Sequence, residues 1–393
     1  MIGTQRNHID LPILVCVLIL MVMSMGVVYS ASSTWALEKF GESERLLTSH
    51  ATKVVAGFLA IFIFMNIDYK RYRKRTKLIL ILAVLLLVTT LVLDSRWLRH
   101  GGFGFQPSEF AKYALVFHLC VLMSDKKEHI ADFKTGFLPM MIWIVAVTSL
   151  VLLQPDFSSG AIIFVVSFLM LFIGRASFAH IGFTVGALVP VLIAYLASAE
   201  YRYRRIMDFG QRISNFVAGG GDLGAKGNYQ LWQGIIGFGN GGIFGLGPGH
   251  SRQRDFFLPE SYGDFVFSVV GEEYGLIGTL CILLLFVTVT LRGFRVAKHA
   301  RDDFGAYLAI GITTCITLCA LINAGVTVGI LPTTGLPMPF VSYGGSSMLF
   351  SSIAIGVLLN ISSQTDMHPR LTKAPGGTQP VELTQLPAAG NVF

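Results

Sequence analysis

Long apolar runs separated by short polar segments extend along the chain from residue 11 to residue 361. A membrane-spanning helix needs about 20 mainly apolar residues, or somewhat fewer where flanking side chains reach the interface. Ten runs meet this condition, at 11–31, 51–67, 78–93, 108–123, 137–153, 160–174, 178–197, 265–291, 307–328 and 346–361. The pattern therefore predicts an all-α polytopic membrane protein with about ten transmembrane helices.

Two polar segments differ from this pattern. Residues 198–263, between the seventh and eighth predicted spans, are polar and rich in glycine, which predicts a large loop. Residues 363–393 are rich in Pro, Gly, Thr and Gln, a composition typical of disorder. The chain is therefore expected to be one transmembrane domain, residues 1–362, followed by a disordered tail.

Composition supports the membrane assignment and excludes other classes. Of 393 residues, 53% are hydrophobic and only 13% are charged, against roughly 25% charged residues in soluble domains. The net charge of +7 could suggest nucleic acid, but its densest cluster, at 70–77, lies between two apolar runs, as in cytoplasmic loops. We therefore expect no nucleic-acid partner.

The five cysteines lie inside apolar runs, and no Cys/His spacing resembles a zinc site.

Basic residues in the short loops predict the orientation of the chain. The loops at 68–77, 124–136 and 292–303 are basic, and they alternate so that all three share one side of the membrane. Both termini are then expected in the cytoplasm. The 198–263 loop and the 329–345 segment are expected outside, because long loops cross the membrane largely regardless of charge.

Asp264 lies where the long outer loop meets the eighth predicted span. A short acidic side chain directly before an apolar helix is typical of an N-cap. A carboxylate in a partly desolvated groove can instead act as a general base. The two roles are compatible, and Asp264 is the first candidate for chemistry.

Glu109 and Lys112 are spaced i, i+3 at the start of the fourth span, so they share a helix face and lie close enough to pair. One interpretation is a structural ion pair that lowers the cost of membrane insertion. The other is a cation that receives phosphate or sugar oxygens.

Two arginine clusters lie towards the two ends of the long loop, one of Arg202, Arg204 and Arg205 after the seventh span, the other of Arg252 and Arg254 before Asp264. They either reach lipid headgroups or clamp a pyrophosphate, since Arg binds planar oxyanions bidentately.

Three further carboxylates and one broken segment complete the candidates. Glu272 and Glu273 lie on adjacent faces of the eighth span, and at least one is expected to face the protein interior. Asp156 occupies a tight outer turn, where an acidic residue is typical. Prolines and glycines interrupt 329–345, and non-helical backbone at that depth must be buried or line a cavity.

Six stretches of the chain together resemble the SEDS family of peptidoglycan glycosyltransferases, the FtsW/RodA/SpoVE group. They are FGFQPSEFAK (103–112), LQPDFSSGA (153–161), YRYRRIMDF (201–209), YQLWQGIIGFGNGGIFGLGPGHSRQ (229–253), FLPESYGDFVFSVVGEEYGLIG (257–278) and ILPTTGLPMPFVSYGGSS (330–347). The likeness covers roughly residues 10–362. The stretch before FLPE and the LPTTGL segment are more similar to the division group, FtsW, than to the elongation group, RodA.

The resemblance implies a reaction at the outer face of the bacterial cytoplasmic membrane. Lipid II, a disaccharide-pentapeptide on undecaprenyl diphosphate, is polymerised into glycan strands, and undecaprenyl diphosphate is released. Septal wall synthesis in cell division is the implied role, with RodA-type elongation as the alternative. A lipid II flippase and a non-catalytic scaffold for division proteins are competing classes. A transporter should hold its key charges near the midplane, whereas these cluster at the outer interface.

The resemblance also assigns roles to residues. The family's essential Asp falls on Asp264, which would deprotonate the acceptor sugar hydroxyl. Its QPSE-x-x-K pair falls on Glu109 and Lys112, and its YR-x-x-R pair on Arg202 and Arg205, cations suited to the diphosphate leaving group. The implied substrate-binding residues are Glu109, Lys112, Arg202, Arg205, Arg252, Gln253, Glu260 and Ser342, with Asp156, Glu272 and Glu273 in supporting positions.

One departure and three further expectations accompany the resemblance. The family usually has His-Thr before the essential Asp, whereas this chain has Tyr262-Gly263, so Tyr262 would substitute in part through its hydroxyl. A class B penicillin-binding protein transpeptidase and division proteins are the implied partners. No cofactor is assigned, and a divalent cation such as Mg²⁺ is left open.

Overall fold

The computed structural model of the protein describes residues 8–100, 103–197, 200–217, 229–258, 261–365 and 367. Within these ranges the chain is helical, apart from loops and one small antiparallel hairpin. The elements are α1 (Leu11–Phe40), α2 (Arg45–Asn66), α3 (Lys70–Arg73), α4 (Thr76–Val92), β1 (Leu98–His100), β2 (Phe103–Phe105), α5 (Pro107–Asp125), α6 (Leu138–Leu153), α7 (Phe157–Ile173), α8 (Phe178–Ala197), α9 (Glu200–Val217), α10 (Tyr229–Gly241), α11 (Gln253–Phe256), α12 (Val266–Lys298), α13 (Asp303–Thr327) and α14 (Gly345–Ser363).

The predicted fold class, an all-α polytopic membrane protein, is confirmed. Among the described residues, seven helices are long and apolar enough to cross a membrane, namely α1, α2, α6 with the π-helical turn Phe133–Phe137 before it, α8, α12, α13 and α14. Two shorter apolar helices, α4 and α7, and the more polar α5 coincide with the other three predicted spans. The count of ten spans therefore stays a prediction, whereas the positions of the apolar helices match it.

Helix α5 lies at the centre of the bundle. It packs against α4, α6, α7, α13 and α14, and most of its residues are buried. By contrast, α8 lies at the edge beside α7 and α9, and none of its described residues is buried. This central position lets α5 contain charged residues, because protein rather than lipid surrounds them.

One end of the bundle is closed by Asp10, which caps α1 and is fully buried. The guanidinium of Arg292 on α12 donates to both Asp10 carboxylate oxygens, with Nη2 at 2.6 Å from Oδ2. The Asp10 amide donates to the Ser362 hydroxyl near the end of α14 at 3.0 Å. The first and last helices therefore begin and end on the same face of the bundle.

The predicted basic loops meet on this face. The Tyr69 hydroxyl, before α3, donates to Asp302 at 2.7 Å, and the Tyr69 amide donates to Asn360 at 2.8 Å. The Lys127 ammonium ion-pairs with Asp303 at 2.8 Å. The loops at 68–77, 124–136 and 292–303 therefore share one side, as predicted, and we call this side the basic face and the opposite end the site face.

The large predicted loop, 198–263, contains helices that the sequence interpretation missed. Its described parts include α9, α10 and α11. Helix α10 packs across α12 through glycines at helical spacing, Gly234, Gly237 and Gly241. These glycines let the two helices approach closely, so a stretch that looks irregular in sequence is regular in structure.

Helix α12 is interrupted at Gly275, where the backbone has a φ of 63° and a ψ of −160°. The break leaves carbonyls and amides on either side without their usual helical partners, and the segment 242–247 replaces them. Two amides of this segment donate to α12 carbonyls, Leu246 N to Glu272 O and Gly247 N to Glu273 O, each at 2.9 Å. In the other direction, two α12 amides donate to carbonyls of the segment, Leu276 N to Gly242 O at 2.9 Å and Ile277 N to Ile243 O at 3.2 Å. The glycine-rich segment is therefore an integral part of the broken helix.

Candidate active site

Asp264 lies at the site face, in the turn of residues 261–265 that leads into α12, and its side chain is half-buried. The N-cap interpretation is wrong, because Phe265 occupies the cap position of α12. The main-chain carbonyl of Asp264 accepts a hydrogen bond from the Asn323 side-chain amide on α13 at 2.7 Å. The turn is thus held through its main chain by a side chain of α13.

The interrupted segment 329–345 packs against this turn. The Asn323 amide that holds Asp264 also donates to the Leu336 carbonyl at 2.8 Å. A Cβ added to Gly335 would lie 3.4 Å from Asp264 Oδ2, so this backbone passes directly beside the carboxylate. The Tyr343 amide donates to the Tyr262 carbonyl at 2.9 Å. The segment therefore forms one wall beside Asp264.

Ser342 closes a turn within this wall. Its hydroxyl accepts from the Met338 amide at 2.8 Å, its own amide donates to the Met338 carbonyl at 3.0 Å, and its side chain is buried. The structure thus gives Ser342 a local backbone partner, and its predicted contact with substrate stays a prediction.

Glu109 and Lys112 form the ion pair that their spacing predicts. The Lys112 ammonium lies 3.0 and 3.1 Å from the two Glu109 oxygens, and the side chains are only 4% and 3% exposed. The ammonium also lies 3.7 Å from the Cys319 sulfur on α13. Cys319 is one turn before Asn323, about 6 Å along the helix, so the buried pair lies one turn of α13 deeper than the Asp264 turn.

Asp156 caps α7 and connects it to α5. Its Oδ1 accepts from the Ser159 amide at 3.2 Å, and its Oδ2 accepts from Gln106 at 3.0 Å and Ser108 at 3.3 Å. Since Gln106 and Ser108 flank the start of α5, Asp156 fixes the helix that carries the buried ion pair. Asp156 therefore supports the site indirectly, by holding the starts of α5 and α7 together.

Glu272 and Glu273 both face the protein interior, where they are 0% and 1% exposed. Glu272 accepts from Asn240 at 3.2 Å, from the Ser251 hydroxyl and from the Gln253 amide at 3.2 Å. Gln253 is itself buried. The carboxylate thus attaches the loop after α10 to α12.

The second carboxylate holds the next part of the same loop. Glu273 accepts from the Ser30 hydroxyl on α1 and ion-pairs with Arg254 at 3.6 Å. Arg254 also donates to the Ser30 carbonyl and the Gly249 carbonyl, each at 2.7 Å. Its neighbour Arg252 is exposed at the surface, so the two arginines of this cluster have different environments.

The remaining predicted site residues are not brought to Asp264 by the described contacts. Arg202 and Arg205 lie on α9, whose main neighbour is α8, and the Arg205 side chain is exposed. Glu260 lies outside the described residues. No group of three or more His, Cys, Asp or Glu side chains that could hold a metal ion occurs within the described ranges.

Two features of the site were missed from the sequence. Asn323 is 1% exposed within an otherwise apolar helix, and a lone buried amide in a predicted span was a signal that could have identified it. Trp35 and Tyr343, whose rings contact that of Tyr262, come from distant segments, as does Lys53, whose ammonium lies over the Tyr343 ring. Nothing local in the sequence connects them.

This fold and site define a multi-pass helical membrane protein with a carboxylate held beside a buried, non-helical wall at one face. The chain belongs to the FtsW/RodA/SpoVE family, described as a cell cycle protein family, whose model matches residues 10–367. A probable peptidoglycan glycosyltransferase FtsW of Geobacter metallireducens is 38% identical over 93% of this chain and 97% of its own length. The stage V sporulation protein E of Bacillus subtilis is 35% identical over 91% and 98%.

Solved structures share the fold. One solved structure is a chain described under structural coordination of polymerization and crosslinking by a peptidoglycan synthase complex. It superposes with a TM-score of 0.70, at 22% identity, over 90% of this chain and 97% of its own length. The rod shape determining protein RodA of Thermus thermophilus superposes with a TM-score of 0.65, also at 22% identity, over 90% and 96%. At this identity the structural likeness establishes the architecture.

Proposed function

We propose that this protein is a peptidoglycan glycosyltransferase that polymerises lipid II into glycan strands. Relatives named as probable peptidoglycan glycosyltransferases cover nearly its whole length at 34–38% identity. The observation that carries the proposal is the position of Asp264, half-buried at the site face and held through its backbone. A partly buried carboxylate at a membrane surface is placed to act on a lipid-tethered sugar.

The reaction is a direct displacement. Asp264 accepts the proton of the acceptor sugar hydroxyl, and the hydroxyl oxygen forms a bond to the anomeric carbon of the lipid-linked sugar. The bond from that carbon to the diphosphate breaks, and undecaprenyl diphosphate leaves with the electron pair. Attack opposite the leaving group inverts the anomeric carbon. General base catalysis of this kind supplies about 10²–10⁴ in rate.

Cations stabilise the departing diphosphate. Arg205 and Arg252 are exposed at the surface and suited to oxyanions. Lys112 is buried in its ion pair with Glu109 and lies beneath the site. Its positive electrostatic field stabilises the diphosphate without direct contact. A divalent cation such as Mg²⁺ would supply further charge neutralisation to a diphosphate.

The protein acts in the bacterial cytoplasmic membrane, with the basic face in the cytoplasm and the site face outside. This orientation rests on the basic loops and places the reaction on the side where wall is built. The likeness to FtsW-named relatives favours septal synthesis. A class B penicillin-binding protein transpeptidase is the proposed partner, supported by a structural neighbour from a complex that coordinates polymerization and crosslinking.

The test is polymerisation of labelled lipid II by the purified protein in nanodiscs, with and without the transpeptidase partner. Wild type is expected to make glycan strands, and Asp264→Asn to lower the rate at least a hundredfold with the melting temperature unchanged. Asp94→Asn is the matched control, since Asp94 is an exposed acid with a φ of 47° that Asn tolerates. Lipid II scrambling without polymer, or full activity of Asp264→Asn, would overturn the proposal.

A further inference from the structure

Three aromatic rings form a row beside the Asp264 turn. Trp35, near the end of α1, lies 5.4 Å from Tyr262, and Tyr262 lies 5.6 Å from Tyr343, measured between ring centroids. All three side chains are half-buried. The row therefore joins three distant segments of the chain at the site face, with the ring of Tyr262 only two residues before Asp264.

A lysine lies at the Tyr343 end of the row. The Lys53 ammonium, on α2, is 3.4 Å from the centroid of the Tyr343 ring. Its alkyl chain passes over Gly345, where a Cβ would lie 3.4 Å from Lys53 Cε. The Tyr343 hydroxyl is held by Ser49 at 3.0 Å, so the ring that supports the ammonium is fixed.

No carboxylate lies within ion-pair distance of Lys53 among the residues that the structure describes. Lys53 lies about 12 Å along α2 from its first residue, within a helix long and apolar enough to span the membrane. A cation at such a position is costly unless a counter-charge compensates it. A cation–π contact contributes only about 0.5–2 kcal/mol, so the described part of the chain leaves this charge largely uncompensated.

The ammonium and the Asp264 carboxylate contact the same wall. Gly335 lies beside Asp264 Oδ2, and Tyr343, eight residues later in the same segment, supports Lys53. The Tyr343 amide also binds the Tyr262 carbonyl, so the two parts of the site are connected through the backbone. A base and a cation on the same wall match a substrate whose reacting carbon carries a diphosphate.

We infer that Lys53 is a substrate-binding residue that contacts the phosphoryl oxygens of the lipid-linked diphosphate. This rests on the proposed function and adds to it a residue outside the matched motifs. The ammonium binds the diphosphate as a point charge, while Tyr343 holds it in place from below. It is also placed to stabilise the negative charge that develops on the leaving group.

The experiment measures binding of labelled undecaprenyl diphosphate to the protein in nanodiscs, and separately the KM and kcat for lipid II. Lys53→Met keeps the alkyl chain and removes the charge, whereas Lys53→Arg keeps the charge. Lys39→Met is the matched control, because the exposed Lys39 ammonium also lies over an aromatic ring, that of Trp35, at 4.5 Å. Binding is measured in phosphatidylcholine and again with phosphatidylglycerol added.

Lys53→Met is expected to weaken undecaprenyl diphosphate binding about tenfold and to raise the KM similarly. Lys53→Arg and Lys39→Met are expected to stay within about threefold of wild type. Wild-type affinity of Lys53→Met for undecaprenyl diphosphate would overturn the inference. A loss of affinity that disappears when phosphatidylglycerol is added would also overturn it, because the ammonium would then bind lipid headgroups. Binding of undecaprenyl diphosphate is measured without turnover. A negative result for the Lys53 inference can therefore be told apart from a negative result for the polymerase proposal.

Discussion

The Asn323 side-chain amide donates a hydrogen bond to the main-chain carbonyl of Asp264 at 2.7 Å. It also donates to the Leu336 carbonyl at 2.8 Å, and the Asn323 side chain is 1% exposed. One buried amide therefore connects α13, the turn that carries the acid and the wall beside it. We infer that this contact positions the carboxylate.

We expect Asn323→Leu to leave the buried Leu336 carbonyl without its donor, at about 1–3 kcal/mol, and the part-buried Asp264 carbonyl at less. The acid would shift relative to the wall, so kcat for lipid II should fall at least about tenfold while KM changes little. Thr327→Val is the matched control one turn further along α13. The Thr327 hydroxyl donates only to carbonyls of its own helix, so its removal should be nearly neutral. An Asn323→Leu protein with wild-type kcat would contradict the assignment of Asn323 as a positioning residue.

The buried Glu109–Lys112 pair allows its structural and electrostatic roles to be separated. Removing one partner, as in Lys112→Met, leaves the other charge buried and should cost about 3–5 kcal/mol of stability. The double variant Glu109→Leu/Lys112→Met should regain most of that loss, because no charge remains unpaired. Melting temperatures in nanodiscs measure this.

The same double variant tests the proposed field of Lys112. We expect it to be stable but to polymerise lipid II at least about tenfold more slowly, since a cation one turn beneath the site is lost. Wild-type activity in the stable double variant would show that the pair serves the scaffold alone.

Gly241 is required by the contact between α10 and α12. A Cβ at this position would lie 1.9 Å from the Gly271 carbonyl oxygen. We expect Gly241→Ala to cost about 1–3 kcal/mol and to expose the segment 242–247 to protease. Gly239→Ala, two residues earlier with nothing within 4 Å of its Cβ, should be neutral or stabilising. Equal melting temperatures for the two variants would contradict the packing described here.

The two arginines before α12 should behave differently. Arg254→Met removes the ion-pair partner of Glu273, which is 1% exposed, and should lower stability by about 3–5 kcal/mol. Arg252→Met should leave stability within about 0.5 kcal/mol, because Arg252 is exposed. If Arg252 binds substrate as proposed, its variant should raise the KM for lipid II severalfold. The reverse pattern of stabilities would show that the loop is held in another way.

Several site features could be predicted because they are local. The i, i+3 spacing of Glu109 and Lys112 was enough to predict their pairing. The cost of charge at membrane depth predicted that Glu272 or Glu273 faces inward, and both do. The N-cap role of Asp264 was wrong, because helix α12 starts two residues later and the turn before it is stabilised by a distant side chain.

The sequence by itself determined the class of the protein, the positions of its apolar helices and the shared side of its basic loops. It could do so because the bilayer requires long apolar runs and a bias of charge, both readable along the chain. Only the tertiary structure decided that segment 242–247 completes the helix broken at Gly275, that Asn323 holds Asp264, and that Lys53 meets Tyr343. These contacts join residues far apart in sequence, and their geometry follows from how the helices pack rather than from any local pattern.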